Sequence, residues 1–529
     1  MKYAALHLLV LLQVNCLTLF SQALDVTFSG NGKAKFAIGN SSFGSAVAIQ
    51  PADQKIVMAG ESVENTSSFK ADFCAVRFLP NGTFDSSFGA GGIAVVPVSF
   101  AFNTSGATAM ALQPDGKIVM VGTFYTGVDT RSTGVVRLTK DGIPDAGFGS
   151  GGIINMPMPT IGNAVAVQPD GNILVAGQYG GSGASYSVVR LLGTDGSLDP
   201  SFGSGGQVTT AVDGVYGGRV TAMAIEPGGQ ILVTGNGQED THAITVRYNK
   251  SGTLDNTFGA HGISTVTVNG GSDRLDVNAI AVQSDGYILL AGDYYLNGGA
   301  LHSRMLVIRL RPDGTLDIGF AGNGKLGVPF PNFDSYATSV GEEYDGRIIV
   351  SGATLGNGKP EAFALARVTV NGDIDYPWGT GGEVTTTWSG TESNIRGMAI
   401  QSNGKIVCTG LVGNDIGIAR YNDPVTLLPP PVVTATNSPA IASGTSTMNL
   451  AGVHIFPNPA PSELQVQGLD PAVPTLLAVK DASGRTMMTV KTIGQNTWPL
   501  DIHRLPSGTY FLELSTTGVH KSFPFLKTP

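Results

Sequence analysis

Along most of the chain, apolar and polar residues alternate in short runs bounded by Gly, Pro, Asn or Asp, the pattern of half-buried strands rather than of helices. These runs repeat in a fixed order. An apolar strand, a tight turn and a second apolar strand form the first signature, as in Ala109-Met-Ala-Leu-Gln-Pro-Asp-Gly-Lys-Ile-Val-Met-Val-Gly122. It returns at 45–60, 163–177, 220–235, 277–292, 336–352 and 395–410. A short strand ending in Arg follows, with Arg at 77, 137, 190, 247, 309, 367 and 420. The third signature is a linker of the type Leu-Asp-x-x-Phe-Gly-x-Gly-Gly, clearest at 198–206, whose Asp stands at 25, 85, 145, 199, 255, 317 and 375.

Successive linker Asp residues lie 54 to 62 positions apart, and each interval holds four strand-like runs. Four strands per repeat make one blade, and radial repetition accounts for the period better than a solenoid coil or a sandwich. The expected fold is all-β, a seven-bladed β-propeller of four-stranded blades followed by a small C-terminal β-sandwich. The strand at 33–38 either begins the first blade or completes the seventh.

Arg and the following linker Asp are eight or nine residues apart, as in Arg77 with Asp85 and Arg137 with Asp145. Two residues are left over. Arg420 has no linker Asp after it and Asp25 has no Arg strand before it, so a closed ring would pair them across the seam as a charge-assisted contact. Asp423 is a competing partner, and the plainer reading is that each linker Asp only caps its own turn.

The tail breaks the repeat. Residues 423–452 are rich in Pro, Ser, Thr and Ala, a linker, and alternation resumes from Val453 in six or so short strands. At the other end, Lys2, an uncharged apolar stretch through Phe20 and Ser21-Gln22-Ala23 read as a secretory signal cut between Ala23 and Leu24. The expected organisation is a signal peptide at 1–23, the propeller at 24–423, the linker at 424–452 and a C-terminal domain at 453–529.

Composition narrows the chemistry. The chain has 73 Gly in 529 residues, only 13% charged residues and a net charge of -9 without a basic block, which argues against a nucleic-acid partner. Cys74 and Cys408 are too few for a disulfide framework, although a single bond joining the first and last repeats is left open. The histidines are scattered, Gly-x-Ser-x-Gly is absent, and no phosphate loop or metal-ligand spacing stands out, so neither catalytic residues, a metal nor a cofactor is expected.

Strands that run up and down place the near-identical turns and linkers at one end and the connections of varied length and chemistry at the other. A ligand site is expected on that variable end. Its candidate residues are the aromatics Tyr125, Tyr179, Tyr216, Tyr294, Tyr295, Phe333 and Trp388, which suit a glycan or a peptide or else cover blade edges. The carboxylates Glu61, Asp72, Glu239, Asp240, Asp293 and Glu361 lie in the same connections.

The tail motifs Phe456-Pro-Asn-Pro459, Asp481-Ala-Ser-Gly-Arg485, Leu505-Pro-Ser-Gly-Thr-Tyr510 and Lys521-Ser-Phe-Pro-Phe-Leu-Lys527 resemble the type A C-terminal sorting domain of the type IX secretion system of Bacteroidota. That resemblance implies Sec-dependent passage to the periplasm, export across the outer membrane, and a mature chain that is secreted or held at the cell surface without a transmembrane segment. The Gln-Pro-Asp-Gly-Lys and Leu-Asp-x-x-Phe-Gly repeats resemble the delta-60 repeat family of propellers over about 24–423. That family supports the fold and little else; a rigid scaffold with diverse loops and no reactive constellation leads to the expectation of a non-enzymatic module that binds a protein or glycan. The alternative is an extracellular polysaccharide hydrolase or lyase built on the same scaffold.

Overall fold

The computed structural model describes residues 24–422 apart from 66–69, 99–105, 126–130, 157–160, 180–184, 213–217, 238–239, 269, 271–272, 296–302, 332–333, 344 and 357–358. In the tail it describes 454–456, 463–467, 475–481, 486–492, 497–502, 505, 508–516 and 519–527. The expected signal segment and the linker at 424–452 lie outside the described residues. Among the described residues no helix is long and apolar enough to cross a membrane.

The described residues of 24–422 and those from 454 onward belong to two separate compact units. The first contains seven four-stranded antiparallel sheets. Blade 1 runs Ser41–Ile49, Ile56–Asn65, Lys70–Phe78 and Ile93–Val96 from axis to rim, and the next five blades repeat this order. Blade 7 takes three strands from the end of the repeat, Ser393–Ile400, Ile406–Val412 and Asp415–Tyr421, and its outermost strand, Lys33–Phe36, from the beginning. The strand near residue 33 therefore completes the seventh blade, and the innermost strand of blade 7 lies against that of blade 1 to close the ring.

Apolar residues are buried between blades rather than at one centre. Each of seven clusters joins a pair of neighbours, including one at the seam where Ile56, Met58 and Cys74 of blade 1 meet Val407, Ile416 and Ile418 of blade 7. Near the axis the wedge between blades narrows, and the innermost strands answer with alternating small and large side chains. In blade 5, Ala281 packs toward blade 6 while Ile280 and Val282 pack toward blade 4. Gly341 takes the small position in blade 6, where a Cβ would approach Ile400 of blade 7 to 3.2 Å.

Every innermost strand carries a β-bulge at the same place, with the pairing shifting between Gly44 and Ala46, between Val277 and Ala279, and at the five equivalent points. The bulge explains the Gly that closes the first signature. A Cβ on Gly60, Gly122, Gly235, Gly292, Gly352 or Gly410 would lie 1.8 to 2.0 Å from the carbonyl oxygen opposite, so the backbones can approach only with hydrogen in that position.

At the opposite end each blade is clasped to the next by its Arg. The guanidinium Nε bonds the linker Asp at 2.7 to 2.9 Å in all seven, including Arg420 with Asp25 at 2.7 Å. The linker aromatic lies beneath it: Phe88, Phe148, Phe202, Phe258, Phe320, Trp378 and Phe28, with ring centroids 4.1 to 5.5 Å from the guanidinium carbon. Among the described residues, Nη1 of six of these Arg also donates to a carbonyl of the following blade, those of Lys140, Gly193, Lys250, Pro312, Val370 and Pro80. The two readings of the linker Asp are compatible. Asp25 accepts Thr27 N–H and O–H on Oδ1 and receives Arg420 and Lys405 on Oδ2. Asp423 lies outside the described residues.

Cys74 and Cys408 are both fully buried free thiols in different interblade clusters, Cys74 at the seam and Cys408 between blades 6 and 7, so the bond left open by the sequence does not form. The second unit has a three-stranded sheet, His454–Phe456, Glu463–Gln467 and Thr497–Asp501, and a four-stranded sheet built from Thr475–Asp481, Thr486–Thr492, Gly508–Thr516 and Val519–Lys527. Alternate residues of both, such as Leu464, Val466, Leu477, Val479, Leu512 and Leu514, share one core, as a sandwich requires.

Two outcomes follow for stability. Gly410→Ala or Gly235→Ala should lower the urea midpoint by the equivalent of about 1–3 kcal/mol, because the bulge must open to admit a methyl group; an unchanged midpoint would refute the role given to the bulge. Burial works to raise the Asp25 pKa, but the bonds from Lys405 and Thr27 and the charge of Arg420 hold it at about 2. The seam therefore contributes stability that is complete above the unfolded value of about 4 and disappears as pH falls toward that of the folded state. Asp25→Asn should flatten that part of the acid denaturation profile.

Candidate functional site

The face that carries the varied connections meets the axis at the upper ends of the innermost strands, just above the bulges. There the repetition ends. The residue preceding each bulge is Phe43, Gly106, Ile161, Arg219, Asp276, Tyr336 or Asn394, seven different types in seven blades. A uniform scaffold thus holds a non-uniform mouth.

The bulged residue itself is Ser45, Thr108, Asn163, Thr221, Asn278 or Thr338 in six blades. Several of these tie neighbouring blades together around the axis. Thr108 Oγ1 donates to the Gly162 carbonyl, Asn163 Nδ2 to Val220, Asn278 Nδ2 to Ala337 and Thr338 Oγ1 to Ile395. Blade 7 departs from the pattern with Arg396. Its exposed guanidinium lies over the Phe43 ring at 5.7 Å, and its Nε sits 3.4 Å from Asn394 Oδ1.

Polar groups gather on one arc of the mouth. Between blades 6 and 7, Glu361 accepts hydrogen bonds from the Tyr336 hydroxyl and from Asn394 Nδ2, the latter at 3.1 Å. Burial, and then this carboxylate, raises the Tyr336 pKa well above its ordinary range. Glu61 of blade 1 is raised by burial against the opposing charge of Arg396.

Between blades 4 and 5, Asp276 Oδ1 accepts Asn236 Nδ2 at 2.9 Å and Oδ2 accepts Arg274 Nε at 2.9 Å. Arg274 also reaches Asp240 at 3.3 Å and lies over the Tyr295 ring at 5.2 Å, while Arg219 stands 3.8 Å from Asp276. Directly opposite Asp276 in the strand pairing is Asp293, only 5% exposed and, among the described residues, without a hydrogen bond or ion pair. Burial, reinforced by the charge of Asp276, pushes its pKa up to about 7.

Of the aromatics selected from sequence, Tyr295 borders this cluster and Tyr294 packs into the core between blades 4 and 5. Trp388 is 8% exposed, lies edge-on to Phe363 and carries Lys33 over its ring at 4.7 Å, covering the core between blades 6 and 7. Tyr216 and Phe333 lie outside the described residues, as do the side chains of Tyr125 and Tyr179 at the upper ends of their strands. Of the carboxylates, Glu61, Asp240, Asp293 and Glu361 belong to the mouth, Asp72 is buried where it accepts Val98 N–H at 3.1 Å, and Glu239 is not described. Arg219, Arg274, Asp276, Tyr336 and Arg396 escaped sequence reasoning. Aligning the seven first strands on their bulges would have exposed Arg219, Asp276 and Tyr336 in a column that changes in every blade, and Arg396 as the one bulge that is not Ser, Thr or Asn; Arg274 lies two residues before Asp276, outside that column. Among the described residues no group of three His, Cys, Asp or Glu is placed to hold a metal ion.

Comparison with known proteins adds two families. Residues 52–88, 113–148, 168–202, 227–258, 283–320 and 345–376 match the domain of unknown function (DUF5122) beta-propeller, and 454–522 match the secretion system C-terminal sorting domain. No curated protein matches the chain. Among solved structures, similar chains include a protein of unknown function from Dyadobacter fermentans, at 12% identity and TM-score 0.40, covering 74% of this chain and 98% of the other. Chaetomium thermophilum Sqt1 bound to the N-terminus of the ribosomal protein L10 is 14% identical at TM-score 0.37, with coverage of 74% and 98%. The polysaccharide lyase Uly1 is 11% identical at TM-score 0.37, with coverage of 72% and 90%.

The unpaired state of Asp293 has a measurable cost. Its carboxyl is protonated more readily in the folded chain than in the unfolded one, so stability falls as pH rises from about 4 to about 7 and levels off above that. Asp293→Asn should remove this loss and stabilise the chain at pH 8 by about 2–4 kcal/mol relative to wild type, with the gain vanishing toward pH 4. Urea midpoints at the two pH values measure the difference, and equal effects at both would contradict the burial described here.

Proposed function

This chain is a DUF5122 β-propeller that carries a secretion-system C-terminal sorting domain, and from that premise we propose that it acts outside the cell as a non-enzymatic module whose channel mouth binds a protein or glycan. The sorting domain directs export by the type IX machinery to the cell surface or the medium. One observation carries the reading. Seven copies of one scaffold hold seven different residues around a single opening, with exposed guanidiniums, bonded carboxylates and tyrosines on one arc of it. Diverse side chains on a rigid frame are the usual basis of selective recognition.

The full chain, tested against arrayed polysaccharides and cell-surface protein extracts, should capture a ligand. Arg396→Ala and Arg219→Ala, both exposed at the mouth, should weaken that capture about tenfold, the loss expected for one charge-assisted bond of roughly 1.4 kcal/mol. Lys140→Ala on the turn face should not. Failure to bind anything, or sensitivity to Lys140 instead of the mouth residues, would overturn the proposal.

A second reading, an extracellular polysaccharide hydrolase or lyase, draws on the unlike environments of Asp276 and Asp293. One carboxyl is held by Arg274 and Asn236, while the other, opposite it, has its pKa raised to about 7. Release of reducing ends or unsaturated products from a polysaccharide, abolished by Asp293→Asn, would favour this reading over the first.

A further inference from the structure

We propose that Asp293 is the receptor for a lysine side chain, so that the ligand of the mouth is a peptide presenting a lysine. This deepens, and rests on, the reading of the mouth as a ligand site. The argument begins with a charge count. Around Asp293 stand two other carboxyls, Asp240 and Asp276, and two guanidiniums, Arg219 and Arg274. Arg274 is shared between Asp276 and Asp240, and Arg219 reaches Asp276. Asp293 is the carboxyl left over, and among the described residues neither a backbone N–H nor a hydroxyl serves it.

A carboxyl this buried without a donor is costly unless a cation arrives to pair with it. From the rest of the site it faces Asp276, Asp240 and Arg274, and the hydroxyls of Tyr295 and Tyr336 lie within electrostatic reach of it. Asp334 of blade 6 adds a further negative charge beside Tyr295. An ammonium entering here completes the missing ion pair.

Depth selects the source of the cation. Asp293 is 5% exposed, two residues below the partly exposed Tyr295 on the same strand. An amine attached directly to a sugar ring would have to bury the ring to reach it. A lysine carries its charge on a flexible four-carbon stem that can lie along apolar surface while the compact ammonium goes deeper. A metal ion is the poorer fit, because no three ligating groups converge among the described residues.

Calorimetric titration of the full chain with acetyl-Gly-Lys-Gly-amide, the glutamine analogue, the arginine analogue and glucosamine trimer tests the inference. The lysine peptide should bind at least tenfold more tightly than the glutamine peptide and more tightly than the sugar. Its affinity should rise about tenfold between about pH 6 and pH 8 as the carboxyl ionises. Asp293→Asn, a change of nearly equal shape expected to fold, should abolish both the binding and its pH dependence, whereas Lys140→Ala should change neither. Equal binding of the lysine and glutamine peptides, retention by Asp293→Asn, or preference for the arginine peptide or glucosamine would overturn the assignment. Should these peptides fail while an array ligand is still captured through Arg396, only the lysine assignment falls; should capture fail as well, the mouth itself is not a binding site.

Discussion

The propeller depends on one contact made seven times, a guanidinium set on an aromatic ring and bonded to the linker Asp, with a further bond to a carbonyl of the next blade in six of the seven among the described residues. Each component is modest alone. Together they fix three things at once: where the linker turns, how the next blade is spaced, and which way it is rotated. Because Arg77 and Arg137 are nearly excluded from water, removing either partner would strand a buried charge, at a cost of about 3–5 kcal/mol. The clasp therefore sets geometry more than it adds net stability, and the seven interblade apolar clusters supply the favourable burial.

At the far end of the same strands, a different constraint divides scaffold from site. The bulge and its facing Gly force each innermost strand to change register just before it reaches the mouth. Below that point side chains must alternate small and large to fit the narrowing wedge, so the repeats are alike. Above it the strands are released from the wedge, and Arg219, Asp276, Tyr336 and Asn394 occupy equivalent backbone positions with unrelated chemistry. Fold and recognition are thereby kept in separate stretches of one strand.

Much of this was legible in the residues. The period of the linker Asp gave blade number and strand count, and the leftover pair Asp25 and Arg420 anticipated the contact across the seam. The tail motifs pointed to the export route, which the matched sorting domain supports. The phase of Lys33–Phe36 was not legible, since a single short strand has the same alternation whichever sheet it joins. The mouth was legible only in part, in Tyr295, Glu61, Asp240, Asp293 and Glu361, for another reason. Variable connections drew notice to their aromatics, yet the polar cluster arises at the ends of regular strands, where Asp276 and Asp293 become neighbours only through pairing and Arg396 differs from its counterparts only in alignment. Trp388 shows the converse, an aromatic in a suggestive place whose ring covers a core edge.

Because residues from both ends of the repeat share blade 7, the position of the chain break is a matter of connectivity rather than of architecture. Joining the ends and opening a connection between two other blades would leave every sheet, clasp and apolar cluster formally intact, while turning the seam into an ordinary junction. The natural order instead makes the oldest part of the polypeptide wait for the youngest, so that until Asp415–Tyr421 has emerged, the hydrogen-bonding edge of Lys33–Phe36 has no neighbour and the circle stays unlatched.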